Sequence, residues 1–182
     1  MSASKSFQPL NIAVLTVSDT RNEDTDTSGQ SLVSALKEAG HVLDDKKIVI
    51  DDIYKIRAVT SQWIASDTTQ VILITGGTGF TSRDSTPEAI KPLLDKTVEG
   101  YGELFRQVSF EEIGTSTIQS RSLAGLSNET IIFCMPGSTG ACKTAWNKII
   151  KEQLDATHKP CNFVAQLKKV NNQITDQCES RG

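Results

Sequence analysis

The chain has 182 residues, 37% of them hydrophobic, a net charge of −3 and four cysteines. That length supports one domain with a sizeable core, and the slightly acidic balance, with no Lys and Arg cluster between aromatics, argues against nucleic acid as a partner. No apolar run approaches the roughly 20 residues that span a bilayer, MSASKSFQPL lacks a signal peptide's apolar core, and Cys134, Cys142, Cys161 and Cys178 form no C-x-x-C pair, so a cytoplasmic protein with reduced thiols, no membrane contact and no structural zinc is expected.

Residues 1–9 are polar and end at Pro9, which predicts a mobile arm before a single domain over residues 10–168. NIAVLTV, Asn11 to Val17, reads as a buried strand ending at Ser18 and Asp19. Asp26, Thr27 and Ser28 offer capping groups for a helix that runs to Ala39, with Leu32, Val33, Leu36 and Ala39 on one face and Gly40 as its left-handed stop.

A second strand within Val42 to Ile50 ends in Asp51 and Asp52. Spacing alone does not decide which of these carboxylates has chemistry to do, and a solvated loop is the ordinary place for such a pair. Tyr54 to Ser66 reads as a helix whose apolar face is Ile56, Val59, Trp63 and Ile64.

The central stretch is VILITGGTGFTSRDSTPEA, Val71 to Ala89. Its short β-branched run suits a strand covered on both faces. The loop Thr75-Gly76-Gly77-Thr78-Gly79 has no Cβ at three positions, so its amides can gather around an anion such as phosphate. A simple turn is the competing reading.

Beyond the loop, Thr86 is expected to cap a helix with Pro87 at its first position. Asp84 then lies beside the anion loop, where Mg²⁺ commonly offsets the repulsion between carboxylate and phosphate. A dinucleotide fingerprint fails because Ser82 stands where its third glycine belongs.

From Pro92 the pattern is helical with polar interruptions, and Ser116 to Leu126 reads as a further helix. TIIFCM, Thr130 to Met135, is a last buried strand that runs into Pro136-Gly137-Ser138-Thr139-Gly140, followed by a helix over Ala141 to Leu154. GSTGACKT, Gly137 to Thr144, misses a phosphate-binding P-loop by one residue, since Cys142 replaces its second glycine. Residues 169–182 read as a disordered polar tail.

Strands alternating with helices predict a parallel sheet with helices on both faces, and ligands in such folds bind at the strands' carboxyl ends. There the sequence gathers hydroxyls, glycines and carboxylates without a placed histidine, cysteine or lysine. That inventory suits phosphoryl or nucleotidyl transfer, in which metal and positioning supply most of the catalysis.

ILITGGTGFTSRDSTPEA, together with VSDT…DTSG between Val17 and Gly29, the Asp52 to Ile56 spacing, TIQSR at Thr117 to Arg121 and MPGST at Met135 to Thr139, resembles the MoaB/Mog family of molybdenum cofactor biosynthesis proteins. The resemblance implies a three-layer α/β/α molybdopterin-binding fold with a mostly parallel sheet, a homotrimer or homohexamer, and hand-over to other proteins of the pathway. It implies adenylyl transfer from Mg-ATP to the terminal phosphate of molybdopterin, with Asp52 and Asp84 as catalytic acids holding Mg²⁺. By the same resemblance Thr75, Gly76, Gly77, Thr78 and Gly79 would bind the pterin's phosphate end, and Asp26, Ser28, Gly137 and Ser138 the nucleotide. Thr139 departs from the Pro-Gly-x-Pro of many members and resembles the B branch, so a non-catalytic carrier or interaction protein of the same pathway is the alternative. An unrelated NTPase acting through Lys143 is a third reading.

Overall fold

The computed structural model describes residues 6–170. Seven elements open the chain: β1 (Asn11–Val17), α1 (Thr27–Glu38), β2 (Val42–Val49), α2 (Ile53–Ala65), β3 (Val71–Thr75), α3 (Thr86–Ile90) and the short β4 (Lys96–Thr97). They are followed by α4 (Glu99–Ile113), β5 (Leu123–Ser127), β6 (Thr130–Met135), α5 (Thr139–Ala145) and α6 (Lys151–Gln153), the last two joined through a wide turn at Trp146–Ile150.

The six strands form one sheet in the order β2-β1-β3-β6-β5-β4. β1, β2, β3 and β6 are parallel, while β5 runs antiparallel to β6 and β4 antiparallel to β5. The central strands alternate between two cores, as period-two side chains must. Ile12, Val14, Leu73, Ile131 and Phe133 meet Leu32 and Leu36 of α1, Phe105 of α4 and Trp146. Ala13, Leu15, Ile72, Ile74 and Ile132 meet Ile56 and Trp63 of α2 and Ile90 of α3 on the other face. The three-layer α/β/α arrangement and mostly parallel sheet agree with the expectation.

Three sequence readings are corrected. Ser116 to Leu126 is not a helix: a tight 3-10 turn spans Gly114–Gln119, and Leu123–Ser127 is β5. Local helix propensity yields there to pairing with β6 across a tight turn at Asn128 and Glu129, both in the left-handed region at φ 46° and 57°. Thr86 is the first helical residue of α3 rather than its cap, and its buried hydroxyl donates to the Gly76 carbonyl. The last helix starts two residues earlier than read, at Thr139, with Ser138 as its cap.

Of the predicted arm, residues 1–5 lie outside the described residues, and Phe7 packs its ring 5.2 Å from that of His41. The predicted tail lies outside them from residue 171 onward.

Candidate functional site

β1 and β3 are neighbours whose chains leave in opposite directions across the sheet, α1 covering one face and α2 the other. Such a switch point leaves a crevice at the strands' carboxyl ends. Register aligns those ends, pairing Thr16 with Thr75 and Thr75 with Met135. A cleft of about 690 Å³ opens here, walled by the ends of β1, β3 and β6 and by α4 with its following turn.

The glycine loop forms its floor, and sterics explain the two glycines with positive φ. Gly76 sits at φ +102°, where a Cβ would lie 2.1 Å from the Val17 carbonyl oxygen. Gly77 sits at φ +64°, where a Cβ would lie 2.4 Å from Thr86 Oγ1 and 2.5 Å from Asp51 Oδ2. The Gly76 amide donates to Met135 O and Thr86 N to Gly77 O, so the loop is pinned on both sides. The amides of Gly77 and Thr78 donate to no protein acceptor among the described residues, which leaves them for an anion. Thr75 turns inward, its hydroxyl donating to Pro136 O at 3.0 Å.

The two adjacent acids expected near the site, Asp51 and the assigned Asp52, separate here. Asp52 is the cap of α2, its Oδ1 accepting from the amides of Tyr54 and Lys55 at 2.9 and 3.0 Å. Asp51 turns toward the glycine loop, its Oδ1 accepting from both the amide and the hydroxyl of Ser85. Its Oδ2 faces Gly77 and accepts no protein hydrogen bond among the described residues. Burial pushes the Asp51 carboxyl above the usual range, with the Ser85 hydrogen bonds opposing and the charges of Asp84 and Asp19 adding to the rise.

Asp84 lines the cleft beside Gly79, whose Cβ would lie 2.9 Å from Asp84 Oδ2. Burial alone would raise its carboxyl, but hydrogen bonds from Thr81 and Gly79 and the charge of Arg121 outweigh it and hold Asp84 below the usual range. Asp51 and Asp84 therefore flank one glycine loop with oxygen ligands, a hard donor set that suits Mg²⁺. Among the described residues no group of three His, Cys, Asp or Glu forms a ready-made metal cage. Mg²⁺ bound there would share these two carboxylates with substrate oxygens, as Mg²⁺ commonly does.

Two arginines brace the loop from outside. Arg83 makes a fork to Asp19, Nη2 to Oδ1 at 2.8 Å and Nε to Oδ2 at 3.0 Å, and Asp19 Oδ1 also accepts the Asp51 amide. Arg121 donates Nε to Gly79 O at 2.7 Å and Nη2 to Asp84 O at 2.9 Å, pairs with Glu88, and stacks on Phe80.

The residues expected on the nucleotide side divide. Gly137 and Ser138 line the cleft. Asp26 does not: it is fully buried, caps α1 through the Gly29 amide, accepts from Thr16 Oγ1 at 2.9 Å and pairs with Lys46 Nζ at 3.1 Å. Ser28 lies behind the cleft wall, its hydroxyl donating to Gly137 O at 2.8 Å. Thr139 hydroxyl contacts to Thr27 and Ser28, at 3.0 and 3.2 Å, tie this loop to α1.

Cys142 is buried against Thr75 Oγ1 and Lys143 is exposed on α5, away from the cleft lining, so GSTGACKT does not form a P-loop. Sequence reading missed Arg21, Ser109 and Glu112 in the cleft wall. Arg21 was legible only as one charge in a polar loop, and α4 contributes its two residues from a helix whose facing neighbours the sequence does not reveal.

A family model described as "Probable molybdopterin binding domain" matches residues 13–156. The chain is similar to molybdenum cofactor biosynthesis protein B of Escherichia coli strain K12, 60% identical over 166 residues, covering 91% of this chain and 98% of that protein. The protein of the same name from Staphylococcus epidermidis is 46% identical over 151 residues, covering 81% of this chain and 86% of that one. A crystal structure of a molybdenum cofactor biosynthesis protein B superposes with a TM-score of 0.80 at 43% identity, over 82% of this chain and 94% of that one. The tungsten cofactor synthesizing protein MoaB from Pyrococcus furiosus gives 0.73 at 36% identity, over 81% and 93%.

Proposed function

The chain belongs to the molybdopterin-binding family of molybdenum cofactor biosynthesis proteins, and from that premise we propose that it transfers AMP from Mg-ATP to the terminal phosphate of molybdopterin. The observation that carries this reading is the placement of Asp51 Oδ2 beside Gly77 and of Asp84 Oδ2 beside Gly79, along one anion-suited loop. A terminal phosphate oxygen of molybdopterin attacks the α-phosphorus of ATP, the new P–O bond forms as the α–β bridging P–O bond breaks, and pyrophosphate leaves.

The amides of Gly77 and Thr78 hold and orient phosphate oxygens, and the hydroxyl-rich wall of α4 and its following turn keeps both substrates in register. Asp51 and Asp84 would hold Mg²⁺, which would supply charge neutralisation for the phosphates. A hydrogen-bonded, preset loop favours the crowded charge of the transition state over either separate ligand.

The homotrimer or homohexamer implied by the resemblance is part of the proposal. Exposed Phe110, Ile113 and Ile118, at the end of α4 and in the turn beyond it, are apolar surface that a second copy would cover.

The test is pyrophosphate release from Mg-ATP by purified protein supplied with molybdopterin, with Asp84→Asn in parallel. Release that requires the pterin and falls at least a hundredfold in the variant supports transfer. Tight molybdopterin binding without release rejects transfer and selects the carrier reading.

A further inference from the structure

Arg21 is the one cation among the described residues that line the cleft. It stands just beyond the carboxyl end of β1, in a cleft whose other charged lining residues are Asp84 and Glu112. A polyphosphate entering between these carboxylates meets repulsion, so the position of the cation matters.

Its surroundings hold it in place without consuming it. Nη1 donates to Ser28 Oγ at 2.7 Å, and Ser28 Oγ in turn donates to Gly137 O, so the guanidinium is fixed relative to the 136–140 loop. The ordinary reading is a structural ion pair with Asp26. That pair is loose, at 3.8 Å, whereas Asp26 already receives Thr16 Oγ1, the Gly29 amide and Lys46 Nζ at about 3 Å each. The N–H groups at Nε and Nη2 of Arg21 have no protein acceptor among the described residues. The side chain is 28% exposed. A planar guanidinium with a spare donor edge, partly desolvated and anchored at one nitrogen, is matched to phosphate oxygens.

We propose that Arg21 is a ligand-binding residue that holds a phosphate ester of the substrate at the β1 end of the cleft, next to the 136–140 loop. The proposal rests on the transferase reading for the identity of the ligands, and names phosphate as the shared chemistry of its two sources, nucleotide and pterin. With the glycine loop holding one phosphate group and Arg21 a second, the two together fix the direction in which the phosphate chain lies.

The experiment titrates ATP and molybdopterin separately into wild type, Arg21→Gln and Arg21→Lys, with adenosine as the phosphate-free probe and thermal melting as the check on folding. Arg21→Gln is expected to bind one of the phosphate ligands at least tenfold more weakly, with a shallower salt dependence, while adenosine binding is unchanged. Arg21→Lys is expected to recover part of the loss, since it restores charge but not the fork. The ligand that weakens identifies the source. Wild-type binding of both ligands with Arg21→Gln indistinguishable overturns this proposal alone. Equal loss for adenosine and ATP, or loss only in step with a fallen melting temperature, assigns Arg21 a structural role and overturns it as well. Wild-type protein that binds neither phosphate ligand overturns this proposal together with the transferase reading.

Discussion

Asp51 meets Gly77, a residue of the cleft lining: the space a Cβ on Gly77 would fill ends 2.5 Å from Asp51 Oδ2. The missing side chain lets a buried carboxylate reach the anion loop, and Thr86 Oγ1 closes the same space from the other side at 2.4 Å. Gly77→Ala therefore combines two costs, a left-handed backbone disfavoured by about 1–2 kcal/mol for an L side chain and displacement of either Asp51 or Thr86. We expect urea unfolding to show a loss of about 2 kcal/mol or more, and titration to show much weaker molybdopterin binding. A variant with wild-type stability and affinity would mean that the loop relaxes freely and that Asp51 is not held by it.

The same geometry gives two neighbouring acids different partners, and the transferase reading then expects different roles for them. Asp51→Asn is expected to lower turnover at least a hundredfold while keeping the fold, since the amide can still accept from Ser85 but brings no charge to the loop. Asp52→Ala removes the α2 cap and is expected to cost about 1 kcal/mol of stability with turnover retained. Steady-state pyrophosphate release and denaturant melts on the pair decide it; the reverse pattern would return the catalytic role to Asp52.

The contrast between Asp51 and Asp52 shows what the sequence could and could not convey. Three apolar runs, β1, β3 and β6, each ending in glycine, hydroxyl or acid, made the parallel core and the edge that carries the site readable, because burial on both faces writes a continuous apolar signal. β5 was hidden because Leu123 to Leu126 has local preferences compatible with helix, and only pairing with β6 selects a strand. Which of two adjacent acids points inward depends on the turn between β2 and α2, a few dihedral angles that no spacing rule encodes. Asp26 illustrates the converse: an acid in a motif reads as a ligand, yet burial beside Thr16, Gly29 and Lys46 makes it part of the frame.

His41 predicts a pH dependence away from the cleft. Its Nδ1 accepts the Leu10 amide at 3.2 Å, which requires the neutral ring, and burial pushes its pKa down from 6.5 to about 4 against the opposing charge of Asp155. Between these two values the unfolded chain holds more protons at this site than the folded one, so this group makes stability rise with pH and fall as pH drops from about 6.5 toward 4. Urea melts at pH 7 and pH 5 should show this loss in wild type and a smaller one in His41→Gln. An identical pH dependence in the variant would place the titration elsewhere.

Arg121 is a positioning residue whose effect must travel through the glycine loop. It lies outside the cleft lining, yet its guanidinium binds the carbonyls of Gly79 and Asp84 and pairs with Glu88, while its own amide donates to Thr78 O. Lysine cannot reach all of these acceptors at once, because only the planar fork presents donors spread over several fixed directions. Arg121→Lys should therefore loosen the loop without adding or removing charge. The expected cost is about 1–2 kcal/mol of stability and a fall of tenfold or more in turnover, with the loss concentrated in kcat because the loop's amides must be preset for the transition state. A loss confined to KM would mean that Arg121 supports ligand binding in general. Unchanged kcat and KM at reduced stability would show that the loop holds its shape without the clamp, leaving Thr86 and the Gly76–Met135 hydrogen bond as sufficient anchors.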